Sequence, residues 1–241
     1  MNEALGIKLC GLKTLEAIEV ANELRPTMVG FVFARGKSRT VSREELTGLV
    51  ARLDPTIARV GVFLHETLDE VLDYAQSGLL THVQCHQSLS EQEETQWAKA
   101  LRGVKTPQGY PVTWVRAFAM KGPEALERAQ KSLAPVILLD ASEPGSGEGF
   151  DYRWLKALAN SEGRRGFWLA GGLTPENVRA AIRSTRPWGL LGVDVSSGIE
   201  TQGVKDPEKM RAFVAAVRQE GAHVGTPNKG SKGTDFLGDN L

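Results

Sequence analysis

The chain has 241 residues, with 29 Lys and Arg against 29 Asp and Glu, so its formal net charge is zero. That balance supplies no bulk field for nucleic acid or an anionic membrane, and no run of about 18 apolar residues is present to span a bilayer. Two cysteines, Cys10 and Cys85, make neither a disulfide framework nor a zinc site, and glycine is abundant, at 26 residues.

The opening, MNEALGIKLCGLKT, has no basic segment followed by a long apolar one, so no secretory leader is expected and a reducing cytoplasm is the expected address. A strand over 7–10 comes first, then a helix over 15–24 that Thr14 can cap. A strand over 28–33 precedes a helix over 43–53, where Ser42 and Glu45 have the spacing of a capping box. The same alternation continues with strands over 58–64, 82–86 and 112–118, each followed by a helical pattern, at 68–77, 91–101 and 123–131. The last three strands, 136–140, 167–170 and 190–195, are followed by helices expected at 151–160, 175–184 and 207–220. Thr174-Pro175 and Asp206-Pro207 both read as an N-cap with proline at the first helical position. The strands are rich in Val, Ile, Leu and Phe without strict alternation, as parallel strands covered by helices are.

Eight strand–helix units in one chain of this length describe a single α/β domain, a (β/α)₈ TIM barrel over residues 1–224. An open nucleotide-binding sheet is disfavoured, because the first turn, Cys10-Gly11-Leu12, lacks the Gly-rich fingerprint. Residues 225–241 (GTPNKGSKGTDFLGDNL) read as a flexible tail.

Barrel enzymes work at the C-terminal ends of their strands. Those ends carry Cys10, the Arg35–Arg39 loop, His86, Asp140, Gly171-Gly172 and Ser196-Ser197-Gly198. The last two groups follow strands seven and eight, where backbone amides and hydroxyls form the recurrent phosphate site of this fold. The loop containing Gly145, Gly147 and Gly149 is expected to cover the same mouth. Cys10 suits a proton-abstracting thiolate if nearby cations lower its pKa, and Asp140 suits a proton donor. A small buried hydrophobe is the competing reading of Cys10, and Cys85 reads as packing. With four histidines and no HxH or HExxH spacing, no metal is expected.

From Ile7 to about Arg218 the chain resembles the phosphoribosylanthranilate isomerases of tryptophan biosynthesis. The resemblance rests on IKLCGL at 7–12, GFVF at 30–33 with Ser38-Arg39, VQCH at 83–86 and LLD at 138–140. Its strongest parts are LAGGLTPENV at 169–178, GVDVSSGIE at 192–200 and GVKD at 203–206. It implies a cofactor-free Amadori rearrangement of a phosphorylated aminoaldose to an aminoketose, with Cys10 as general base and Asp140 as general acid. By the same likeness Arg39 holds the anthranilate carboxylate, and His86 and Asp194 line the substrate. The phosphate sits at Gly147, Gly171, Gly172, Ser196, Ser197 and Gly198. The family includes monomers and homodimers, and neither nucleic acid nor membrane is implied as a partner. Departures are Gln87 where the family usually has Gly, Cys85 in place of Leu, and a Ser in the 145–150 loop where Thr is usual. The rival readings are the histidine-pathway aminoaldose isomerases or a dual-specificity enzyme, and a barrel that only binds a phosphorylated ligand. The first carry an aspartate where this chain has Cys10.

Overall fold

A computed structural model of the chain describes residues 4–34, 36, 38–141, 155 and 165–222. Eight parallel strands close into a barrel in chain order: β1 (Gly6–Cys10), β2 (Met28–Val32), β3 (Ala58–Phe63), β4 (His82–Cys85), β5 (Thr113–Ala119), β6 (Val136–Asp140), β7 (Phe167–Ala170) and β8 (Leu190–Val195). Pairing of β1 with β8 shuts the ring, with Lys8 opposite Asp194 and Leu9 opposite Val195. Seven described helices lie along the chain: α1 (Leu15–Leu24), α2 (Arg43–Val50), α3 (Leu68–Gln76), α4 (Glu91–Arg102), α5 (Pro123–Lys131), α6 (Val178–Thr185) and α7 (Pro207–Ala222). The helix expected at 151–160 and the 225–241 tail lie outside the described residues, as does Gly147. No helix among the described residues is long and apolar enough to cross a membrane.

Strand periodicity sorts the side chains into two layers. Ile7, Leu9, Val193, Val195, Ile137 and Leu139 face the helices and join the main apolar core. Their alternates point into the barrel, where Val115, Ala117, Leu138, Trp168 and Ala170 form one cluster and Cys10, Val32, Ala34, Val60 and Val62 another. Cys85 falls in the outer layer and is fully buried, in keeping with a packing role.

The expected caps form. Thr14 accepts from the Ala17 amide, and Ser42 and Glu45 make both bonds of a capping box, worth about 1 kcal/mol at such a terminus. Thr67 with Glu70 and Ser90 with Glu93 make two further boxes. Asp206 Oδ1 accepts from the amides of Glu208 and Lys209 at the start of α7. At α6 the sequence expectation is corrected, because the helix begins at Val178 rather than at Pro175. Asn177 Oδ1 accepts from the Thr174 amide while its Nδ2 donates to Gly172 O, both at 2.8 Å. That side chain holds 174–177 as a turn tied to the β7 loop. A further element was not anticipated: β9 (Glu200–Thr201) and β10 (Val204–Lys205) form a small antiparallel hairpin after β8. Its turn places Gln202 and Gly203 at positive φ, 51° and 79°.

Candidate active site

The C-terminal mouth of the barrel holds a cavity of about 490 Å³. Cys10 from β1, Arg39 from the β2 loop, His86 just past β4, Asp140 from β6, Gly171 and Gly172 past β7, and Asp194, Ser196 and Ser197 at the end of β8 all line it. Cys10, Arg39, His86, Asp140, Gly171, Gly172, Asp194, Ser196 and Ser197, all named from the sequence, are therefore brought to this one cavity, while Gly198 packs against the β7 loop at Leu173. The spacing is a product of the fold, since Lys8 and Cys10, Gln84 and His86, and Leu138 and Asp140 are two apart and share the inward face.

The β7 and β8 loops have the geometry that close approach to an anion requires. Gly171 and Gly172 adopt φ of 94° and 60°, a region costly for residues with a Cβ. Gly198, inside a single turn at Ser197–Ile199, is pressed against the β7 loop. A Cβ there would lie 1.8 Å from Leu173 O, so only glycine fits.

Asp140 and His86 face each other, with Oδ2 and Nδ1 4.0 Å apart. Gln84 reaches His86 Nε2 at 2.7 Å. With the amide donating, the neutral ring carries its proton on Nδ1, toward Asp140. Burial is the main cause holding the His86 pKa below its ordinary value, against an upward pull from Asp140.

Cys10 has cations beside it, but burial works against its thiolate. Burial pushes its thiol pKa up, and this outweighs the downward pull of Lys8 and Lys205, while Asp194 adds to the rise. Arg39 also acts on the sulfur through its charge, although two of its guanidinium nitrogens are engaged by a carboxylate. Nε and Nη2 donate to Glu200 Oε1 and Oε2 at 2.7 and 2.6 Å. Glu200 Oε1 also accepts from Lys205 Nζ at 2.6 Å, and Lys205 continues to Ser196 O at 2.9 Å. Burial opposes the Glu200 charge, yet these two cations hold its carboxyl at about 2.

Lys8, Gln84, Glu200 and Lys205 are site residues that the sequence reading did not assign. The first two were accessible from period-two alternation, counting back from Cys10 and His86. The other two stand in quoted motifs, but nothing local says that the hairpin folds them over Arg39. Among the described residues no group of three or more His, Cys, Asp or Glu side chains is placed to hold a metal ion.

The family described as "PRAI: N-(5'phosphoribosyl)anthranilate (PRA) isomerase" matches residues 7–216. An N-(5'-phosphoribosyl)anthranilate isomerase of Acetivibrio thermocellus is 38% identical over 215 residues, 88% of this chain and 95% of that protein. One from Deinococcus radiodurans is 35% identical over 221 residues, 88% and 96% of the two chains. Among solved structures, the phosphoribosyl anthranilate isomerase of Thermotoga maritima superposes with a TM-score of 0.73 at 31% identity, covering 89% of this chain and 99% of that one. A phosphoribosyl anthranilate isomerase in complex with reduced 1-(o-carboxyphenylamino)-1-deoxyribulose 5-phosphate superposes at 0.71 and 29% identity, with the same coverage.

Proposed function

The chain belongs to the N-(5'-phosphoribosyl)anthranilate isomerase family, and we propose that Cys10 and Asp140 carry the acid–base steps of its rearrangement. It is an isomerase of tryptophan biosynthesis. The observation supporting the assignment is that a thiol and a carboxyl, on β1 and β6, line one cavity with a glycine- and serine-rich anion cradle beside them.

In this reading the 5'-phosphate of N-(5'-phosphoribosyl)anthranilate rests on the loops of Gly171, Gly172, Ser196, Ser197 and Gly198. Gly147 is assigned to the same cradle. Asp140 gives its proton to the furanose ring oxygen, the C1–O bond breaks, and the nitrogen lone pair forms the C1=N bond of a Schiff base. The Cys10 thiolate takes the C2 proton, and the C2–H electrons form C1=C2 as the C1=N pair returns to nitrogen. The enolamine then gains a proton at C1 and loses one from the C2 hydroxyl, giving 1-(2-carboxyphenylamino)-1-deoxyribulose 5-phosphate. No electrons leave or enter, so the chemistry needs no redox cofactor.

Arg39 faces the anthranilate carboxylate. Because Glu200 occupies Nε and Nη2, the carboxylate is met by Nη1 rather than by the whole fork. Asp194 has one oxygen on Lys8, and its other, Oδ1, is buried without a partner, ready to accept from a substrate hydroxyl. His86 lines the sugar beside Asp140. A buried free thiol suits a reducing, cytoplasmic setting.

The test is turnover. Purified protein in EDTA, without nucleotide, is expected to convert N-(5'-phosphoribosyl)anthranilate to the aminoketose, at the same rate as without chelator. No turnover, or dependence on an added metal, would contradict the reading.

A further inference from the structure

Lys8 is an ammonium inside the barrel, with 2% of its surface exposed. It stands one inward layer below Cys10 on β1, and its Nζ lies 2.7 Å from Asp194 Oδ2 on the adjoining strand β8. Lys8 and Cys10 are two residues apart on β1 and share its inward face, and their charges act on each other. A buried ion pair is poor value for stability alone, since apolar side chains of similar volume usually do as well or better there. Much of the inward layer is Val, Ala, Leu and Trp, and Lys8 with Asp194 sets an ion pair among them.

We propose that Lys8 is a positioning residue for Cys10: its enclosed charge is the counter-ion on which the base's thiolate forms, and Asp194 sets how much of that charge reaches the sulfur. The role rests on Cys10 being the general base. The charged groups around Cys10 are Lys8 on its own strand, Asp194 on β8, Lys205 on β10 and Arg39 from the β2 loop. Gly30, its register partner on β2, contributes none. Lys205 and Arg39 are both neutralised in large part by Glu200, whereas Lys8 lies on the same inward face of β1 as Cys10, two residues away. Burial works against the Lys8 charge, but Asp194 and Cys10 together keep its pKa above the ordinary lysine value, so the cation persists over the working pH range. When the thiolate takes the C2 proton the cluster loses its negative sulfur, and Lys8 returns to pairing with Asp194 alone.

The experiment follows iodoacetamide alkylation of Cys10 against pH, read at the Cys10 peptide by mass spectrometry so that Cys85 is counted separately. Lys8→Met is expected to move the half-point up by about one unit or more, with the acidic limb of kcat/KM moving alongside it. Lys8→Arg, which keeps the charge, should recover most of the shift. Asp194→Asn should move the half-point down, a reversal that general loosening of the barrel would not give. A folded Lys8→Met protein with an unmoved half-point overturns the proposal. Should Lys8→Met not fold, the Asp194→Asn arm decides, and a half-point that stays or rises overturns it. Alkylation does not depend on turnover, so the two readings fail separately. An active Cys10→Ser enzyme removes Cys10 as base, whereas an unmoved half-point with Cys10→Ser inactive removes only the role of Lys8.

Discussion

Cys10→Ser is expected to lower kcat by about 10²- to 10⁴-fold, the range a positioned general base supplies, with KM changed little. The hydroxyl fills nearly the same space between Lys8 and Gly30 but is a far weaker acid than a thiol, so the anion that must take the C2 proton is scarcely populated. In the proposed mechanism the deprotonated sulfur is the active form, and burial pushes its pKa above the ordinary thiol value. The sign of the pH dependence follows: kcat/KM in the free enzyme should climb with pH through the neutral and mildly alkaline range, and that limb should vanish in Cys10→Ser. Near-wild-type turnover, or a retained limb, would contradict the assignment.

Asp140→Asn is expected to cost a similar factor, about 10²- to 10⁴-fold in kcat, for a different reason. The amide keeps the shape of the carboxyl and its place 4.0 Å from His86, but it has no acidic proton for the ring oxygen. Ring opening then stalls before any C2 proton is taken. The reduced product analogue is already open and should bind the variant within a few-fold of wild type. Loss of that binding together with activity would make Asp140 a structural residue, not the acid. The two variants also stall at different points: Cys10→Ser should still open and reclose the substrate ring, and Asp140→Asn should not.

Much of this site was legible because a barrel puts strand ends in one place. Once LLD ends one strand and LC another, Asp140 and Cys10 must share a mouth, whatever lies between them in sequence. Gly171-Gly172 and Ser196-Ser197-Gly198 were legible for the same reason. The capping sequences were equally local, and the boxes at Thr67 and Ser90 carry the same spacing as the one at Ser42. Pairings that depend on closure were not legible. Lys8 meets Asp194 across 186 residues, and Arg39 meets Glu200 across 161, through a β1–β8 junction and a hairpin that no local pattern announces. Hence neither the grip of Glu200 on Arg39 nor the pairing of Lys8 with Asp194 beside Cys10 could be read from the local sequence. The start of α6 failed on a smaller scale, because Thr-Pro is a good helix opening until Asn177 bonds to Gly172 and Thr174 instead.

The zero net charge also gains meaning from these contacts. In the proposed reading an anionic substrate is met by a few placed groups, the loop amides and Arg39, and not by a field around the molecule.

In the proposed mechanism isomerisation runs by proton transfer through Cys10. Its most direct test is to follow hydrogen at C1 of the product with substrate deuterated at C2 and the reaction run in ordinary water. Proton transfer through a thiol that exchanges with solvent is expected to leave at least part of the product with protium at C1, and to slow the step by a primary isotope effect. Quantitative migration of the deuterium from C2 to C1, with none lost to water at any conversion, would mean a direct hydride shift and would contradict the account.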